Sequence, residues 1–171
     1  MHRLRILLLF LLLAVSGRLP AVLAQPSGSG GFATLKSVVI EPTKAAVGQK
    51  VMLTVTLAVN EGFHINANKP DDEMSIPTVL TLIPPKTSTI VVGKPVYPAA
   101  KTIPVSYSPK PIKGYDETVV IHVPLTIKPT AKAGNVTLTG TLHAQGCNAT
   151  TCLPPQSFPI TATLTISGAK K

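Results

Sequence analysis

The feature that most constrains this chain is a two-residue alternation of apolar side chains that recurs along its length. Val51, Leu53, Val55, Leu57 and Val59 occupy every second position, with Thr54 and Thr56 between them. Successive side chains of an extended strand point to opposite faces, so the pattern buries one face and leaves the other wet. The alternation returns in Val119, Ile121, Val123, Leu125 and Ile127, in Val136, Leu138 and Leu142, and in Phe158, Ile160, Ala162, Leu164 and Ile166. Weaker strands are expected over 33–41, 76–83, 88–92 and 102–107, and no window carries a helical period. The 17 prolines punctuate the connections and protect edges. Roughly seven to nine one-sided strands predict an all-β, single-domain, immunoglobulin-like antiparallel β-sandwich, with a closed barrel as the alternative.

The chain opens on a different pattern. Arg3 and Arg5 precede an unbroken apolar run from Ile6 to Val15, and Val22-Leu23-Ala24 supplies a small-residue cleavage pattern. Residues 1–24 therefore read as a secretory signal cut after Ala24. The run is well short of the roughly 20 residues that span a bilayer, so no stable membrane insertion is expected once the signal is removed. Residues 25–31 are a flexible linker, 32–168 the sandwich and 169–171 a tail, and the product is expected to be periplasmic or secreted and monomeric.

Without its signal the chain has 13 lysines, no arginine and 7 acids, a net charge of +6. Nucleic-acid binding calls for arginine clusters beside aromatic rings, and neither is present. The lysines are scattered as on a solvated surface, so no nucleic-acid partner is expected.

Chemistry concentrates at Gln145-Gly-Cys-Asn-Ala-Thr-Thr-Cys-Leu-Pro-Pro155, which sets both cysteines between two strongly patterned strands. At a hairpin tip their Cα atoms can approach within the roughly 4.4–6.8 Å that a disulfide needs, and Pro154 and Pro155 hold the outgoing chain extended. A bridge there closes only a six-residue loop, worth about 2 kcal/mol on the loop-entropy account against roughly 4–5 kcal/mol for a very long loop. A staple would gain more elsewhere, whereas a short loop keeps the second sulfur close enough to resolve a mixed disulfide. Both a plain bridge and a redox pair stay open on this ground.

The other candidates are weaker. His64 and His143 join Cys147 and Cys152 as possible copper or zinc donors, but on a continuing strand His143 and Cys147 would lie about 13 Å apart. No metal and no cofactor are expected. His122 falls on an outward face. In Phe63-His-Ile-Asn-Ala-Asn68 the polar His64, Asn66 and Asn68 share one face. They form either a hydrogen-bonded rim or, for His64, a neighbour that stabilises a cysteine thiolate. Asp71-Asp72-Glu73 lacks the spacing of a calcium loop. Asn135-Val-Thr and Asn148-Ala-Thr are formal glycosylation sequons that matter only on a eukaryotic secretory route.

Four stretches resemble the N-terminal periplasmic domain of the bacterial thiol:disulfide interchange protein DsbD: Gly62-Phe-His-Ile-Asn-Ala-Asn-Lys-Pro70, Ile76-Pro-Thr78, Gly93-Lys-Pro-Val-Tyr-Pro98, and Gln145-Gly-Cys147 with Cys152-Leu-Pro-Pro155. The resemblance implies an immunoglobulin-like sandwich whose cysteine pair takes electrons from a thioredoxin-like domain or membrane conduit. It would pass them to disulfide isomerases or to thioredoxin-like proteins of cytochrome c maturation. It also implies that Cys152 forms the mixed disulfide and Cys147 resolves it. An aromatic cap loop shields the pair in that family, and Tyr97 is the candidate cap here, with His64 and Asn66 as possible site neighbours. The run between the cysteines is longer in the relatives, and the electron-supplying modules lie outside these 171 residues, so the donor is expected to be a separate protein. The alternative is a non-catalytic, protein-binding sandwich with an inert hairpin bridge.

Overall fold

The computed structural model describes residues 31–84 and 89–168. The expected signal, nearly all of the linker, the tail and the start of the 88–92 strand lie outside the described residues. Twelve strands and no helix make up the described chain.

Two four-stranded sheets face each other. The first runs in the order β1 (Ala33–Glu41), β3 (Lys50–Val59), β9 (Thr118–Ile127) and β6 (Ile90–Val92). The second runs in the order β2 (Lys44–Ala46), β12 (Gln156–Ser167), β10 (Gly134–Ala144) and β5 (Val79–Ile83). Pairing is antiparallel except where β2 joins β12 in parallel. The alternating residues behave as their spacing requires: Leu53 pairs Val123, Val55 pairs Ile121 and Leu57 pairs Val119, and all six side chains are fully buried. Leu138, Leu142, Ile160 and Leu164 close the core from the second sheet. The fold is the immunoglobulin-like sandwich that the alternation predicts.

A third sheet was not legible in the pattern. It orders β11 (Gly146–Cys147), β4 (His64–Asn66), β8 (Ile112–Tyr115) and β7 (Lys101–Ile103). These strands are two to four residues long, too short to show a period, and β7 covers only part of the expected 102–107 strand. Three of the third sheet's four strands lie next along the chain to the long strands of the main sheets. β4 follows β3 through a turn in which Phe63 N–H donates to the Asn60 carbonyl at 3.0 Å and Gly62 takes a φ of +78°, a conformation that favours glycine. β8 leads into β9, and β11 continues β10 past Gln145. Strands from both faces thus meet at one end of the sandwich, and the cysteines sit there.

Candidate functional site

Cys147 and Cys152 are joined by a disulfide, with S–S 2.06 Å and Cα–Cα 3.9 Å, closer than the range expected from sequence. The β10–β12 ladder ends at Ala144 paired with Gln156. Beyond it the chain makes a small hairpin of its own: Leu153 N–H donates to the Gly146 carbonyl at 2.8 Å, Cys147 bridges Cys152, and Asn148 N–H donates to the Thr151 carbonyl at 2.9 Å. The two cysteines differ sharply in access. Cys147 is 0% exposed, whereas Cys152 lies on the surface.

The flanking residues explain why these side chains are held so. Gly146 lies against Phe32, and a Cβ at that position would stand 1.9 Å from the Phe32 ring carbon Cγ, so only glycine lets β11 dock there. Gln145 spans the hairpin: its Nε2 donates to the Leu153 carbonyl at 3.2 Å, and its Oε1 accepts from Asn66 Nδ2 at 3.4 Å. Asn66 Nδ2 also donates to the Ile76 carbonyl at 3.0 Å, and Thr78 Oγ1 donates to the Asn66 carbonyl at 2.6 Å. The Ile76-Pro-Thr78 stretch therefore straps β4 in place, and β4 carries His64.

His64 is the strand partner of Cys147, its Cα directly across the ladder. Opposed residues of an antiparallel pair bring their Cβ atoms within about 4.5–5.5 Å of one another. His64 is 5% exposed, and its Nε2 stands 3.1 Å from the Tyr107 hydroxyl. Burial pushes the His64 pKa below its usual value of 6.5, against the opposing pull of Asp116. The ring is neutral at pH 7, so it donates or accepts a hydrogen bond rather than offering a positive charge. Burial also raises the Tyr107 pKa, which keeps that hydroxyl protonated.

Tyr97 and Tyr107 take different places around this site. Tyr97 is built into the wall of the sandwich: its hydroxyl accepts the Leu80 N–H at 2.8 Å, and the ring packs against the core. The ring in hydrogen-bond contact with His64 belongs to Tyr107, which keeps 42% of its surface exposed. The residue before it, Ser106, donates both its N–H (2.9 Å) and its Oγ (2.8 Å) to the Ala149 carbonyl, inside the loop between the cysteines. One segment thus touches both His64 and the loop between the cysteines. The sequence carries only three tyrosines, and Tyr107 alone lies in a Ser- and Pro-rich stretch, the signal that could have singled it out.

Beside the hairpin lies a cleft of ≈ 490 Å³ lined by Glu61, Phe63, His64, Asp116, Glu117 and Ala149, among others. Lys101 pairs with Asp116 and, at 3.5 Å, with Glu117. His143 hydrogen-bonds Ser157 at 3.1 Å on the β10–β12 ladder, and His122 is exposed and stands 3.1 Å from Thr54 Oγ1. Among the described residues no group of three or more His, Cys, Asp and Glu side chains could hold a metal ion, and no helix is long and apolar enough to cross a membrane.

The family model described as the N-terminal part of the thiol:disulfide interchange protein DsbD matches residues 36–163. No curated protein matches the chain. Among solved structures, the N-terminal periplasmic domain of ScsB from Proteus mirabilis is similar at 14% identity and a TM-score of 0.48, over 75% of this chain and 43% of that one. The N-terminal domain of Neisseria meningitidis DsbD in the reduced form is similar at 16% identity and a TM-score of 0.43, over 66% of this chain and 80% of that one. The chain thus spans less than half the length of the first of these structures.

Proposed function

Because the chain belongs to the family of N-terminal domains of the thiol:disulfide interchange protein DsbD, we propose that it is a periplasmic thiol–disulfide exchange domain. In this reading it carries electrons from a reduced thioredoxin-like or membrane donor to oxidised extracytoplasmic proteins. The observation that carries the reading is the unequal access of the two sulfurs' residues, Cys147 enclosed and Cys152 exposed. An inert staple has no need of such asymmetry, whereas exchange needs one sulfur that a partner can reach and one held in reserve.

A donor thiolate attacks the Cys152 sulfur, the S–S bond breaks, and its electron pair leaves on Cys147, which takes up a proton. The donor's second thiolate then attacks the donor sulfur of the mixed disulfide and releases Cys152. Two electrons have entered the domain, and the donor leaves with a disulfide. In the delivering half, the Cys152 thiolate attacks an oxidised partner and Cys147 resolves the adduct. Resolution requires Cys147 to lose its proton inside the protein. His64, neutral and directly across the ladder, serves as the acceptor. Tyr107, tethered beside the redox loop through Ser106, takes the shielding role expected of Tyr97.

The test is a Cys147→Ala variant, which leaves Cys152 without its resolving partner. It is expected to accumulate a Cys152-linked mixed disulfide with a thioredoxin-like protein, and the wild-type pair to have a potential above about −300 mV. No trapped adduct, together with a potential well below that figure, refutes the carrier and leaves a docking sandwich with an inert bridge.

A further inference from the structure

The four residues between the cysteines form a turn that has no intrinsic reason to close. Two-residue hairpin loops favour turns with positive φ, usually supplied by glycine or asparagine at the central positions. Here the central residues are Ala149 and Thr150, and among the described residues the only non-glycine with positive φ is Glu117. Closure comes instead from the residue before them. Asn148 Oδ1 accepts three hydrogen bonds, from Thr150 N–H at 2.9 Å, Thr150 Oγ1 at 3.1 Å and Thr151 N–H at 2.8 Å. Asparagine is favoured at the first position of a β-turn for this reason: its carboxamide takes up amides that the turn would otherwise leave to water.

We propose that Asn148 is a positioning residue that sets the reduction potential of the Cys147–Cys152 pair. The three bonds brace the closed loop of the disulfide-bonded state, and the S–S bond requires that same closed loop. Two events that require the same conformation reinforce each other, and by linkage the brace stabilises the bridge as much as the bridge stabilises the brace. In the dithiol state the brace holds the two sulfurs near each other and raises the effective concentration of one at the other. Without it the dithiol explores open loops, bridge formation becomes less favourable, and the pair becomes the stronger oxidant. Asn148 acts through the loop and touches neither reacting sulfur in this account. The inference rests on the exchange reading for its biological meaning, but the quantity it predicts does not depend on any protein partner.

The experiment equilibrates the wild type, Asn148→Ala and Asn148→Asp with glutathione redox buffers and reads the dithiol fraction by thiol alkylation. Aspartate keeps an acceptor oxygen at the same place, so it preserves the brace. Loss of the brace, the net worth of one or two partly exposed hydrogen bonds, is expected to lower the bridge-forming constant roughly three- to tenfold. That is a potential about 14 to 30 mV higher, at 29.6 mV per tenfold. Asn148→Asp is expected to keep its bridge-forming constant within about 1.5-fold of the wild type, about 5 mV on the same scale. An unchanged potential in Asn148→Ala, or an equal shift in Asn148→Asp, overturns the proposal. Failure to trap a partner through Cys152 would sink the exchange reading and leave this shift intact, so the two failures are distinguishable.

Discussion

Reducing the bridge tests whether this disulfide belongs to the fold or to the chemistry. The bond joins residues five apart and closes a six-residue loop, so the freedom it removes from the unfolded chain is worth about 2 kcal/mol. The native state loses little else. Eleven register pairs from Gly134–Ile166 to Ala144–Gln156 already fix the two strands, and the Leu153–Gly146 and Gln145–Leu153 bonds hold the base of the small hairpin. Around these the buried core runs through β3, β9, β10 and β12 without the sulfurs. Comparing oxidised and reduced wild-type protein adds no cavity, because no atom is deleted. The expected loss on reduction is therefore the loop contribution alone, about 2 kcal/mol. At a urea m-value of about 2 kcal/mol/M the unfolding midpoint falls by about 1 M. At roughly 4 °C per kcal/mol for a chain of this size, Tm falls by about 8 °C. By the thermodynamic cycle, the native pair is then only about 43 mV more reducing than the same cysteines in the unfolded chain. The assay is urea unfolding with and without a phosphine reductant. A loss of about 4 kcal/mol or more, or melting of the fold on reduction at 25 °C, would instead mark the bridge as a staple of the fold.

Two further outcomes follow from the same geometry. His64 has its pKa depressed by burial, so the unfolded chain protonates first as pH falls. This contribution to stability is complete above 6.5 and is lost as pH falls through the folded-state value. Unfolding free energies measured from pH 8 to 5 should decline over that window and flatten in His64→Asn, and equal slopes would show that another group is responsible. Tyr107→Ala removes the exposed ring and its contact with His64, and should speed reduction of the bridge by a small thiol by about threefold or more while the potential moves by less than about 10 mV. Stopped-flow rates equal to the wild type would deny Tyr107 a shielding role.

Much of the fold could be read before any coordinates. β1, β3, β9 and β12 fall where the alternation or its weaker echo puts them, because burial on one side of a strand is written at a period of two within a single segment. β2, β4, β8 and β11 escaped notice for the opposite reason. Each is four residues or fewer, and β4, with His64, Ile65 and Asn66 all buried, shows no alternation to detect. The cysteine pair was legible from its spacing and from Leu-Pro-Pro. Gln145 was visible as a motif residue without an evident task. Its task, bonding both Leu153 and an asparagine 79 residues before it, Asn66, joins segments far apart along the chain.

One-sided strands, and two cysteines at the junction of two of them, are local properties of spacing and side-chain chemistry and are written in the residues alone. The enclosure of Cys147 beside an open Cys152, the place of His64 across the ladder from Cys147, and the contact of that histidine with the Tyr107 hydroxyl arise only from the packing of distant segments. The third sheet brings together residues near positions 64, 102, 114 and 147. Their meeting depends on how two separate sheets end at the same edge of the sandwich, and no window of sequence contains that edge.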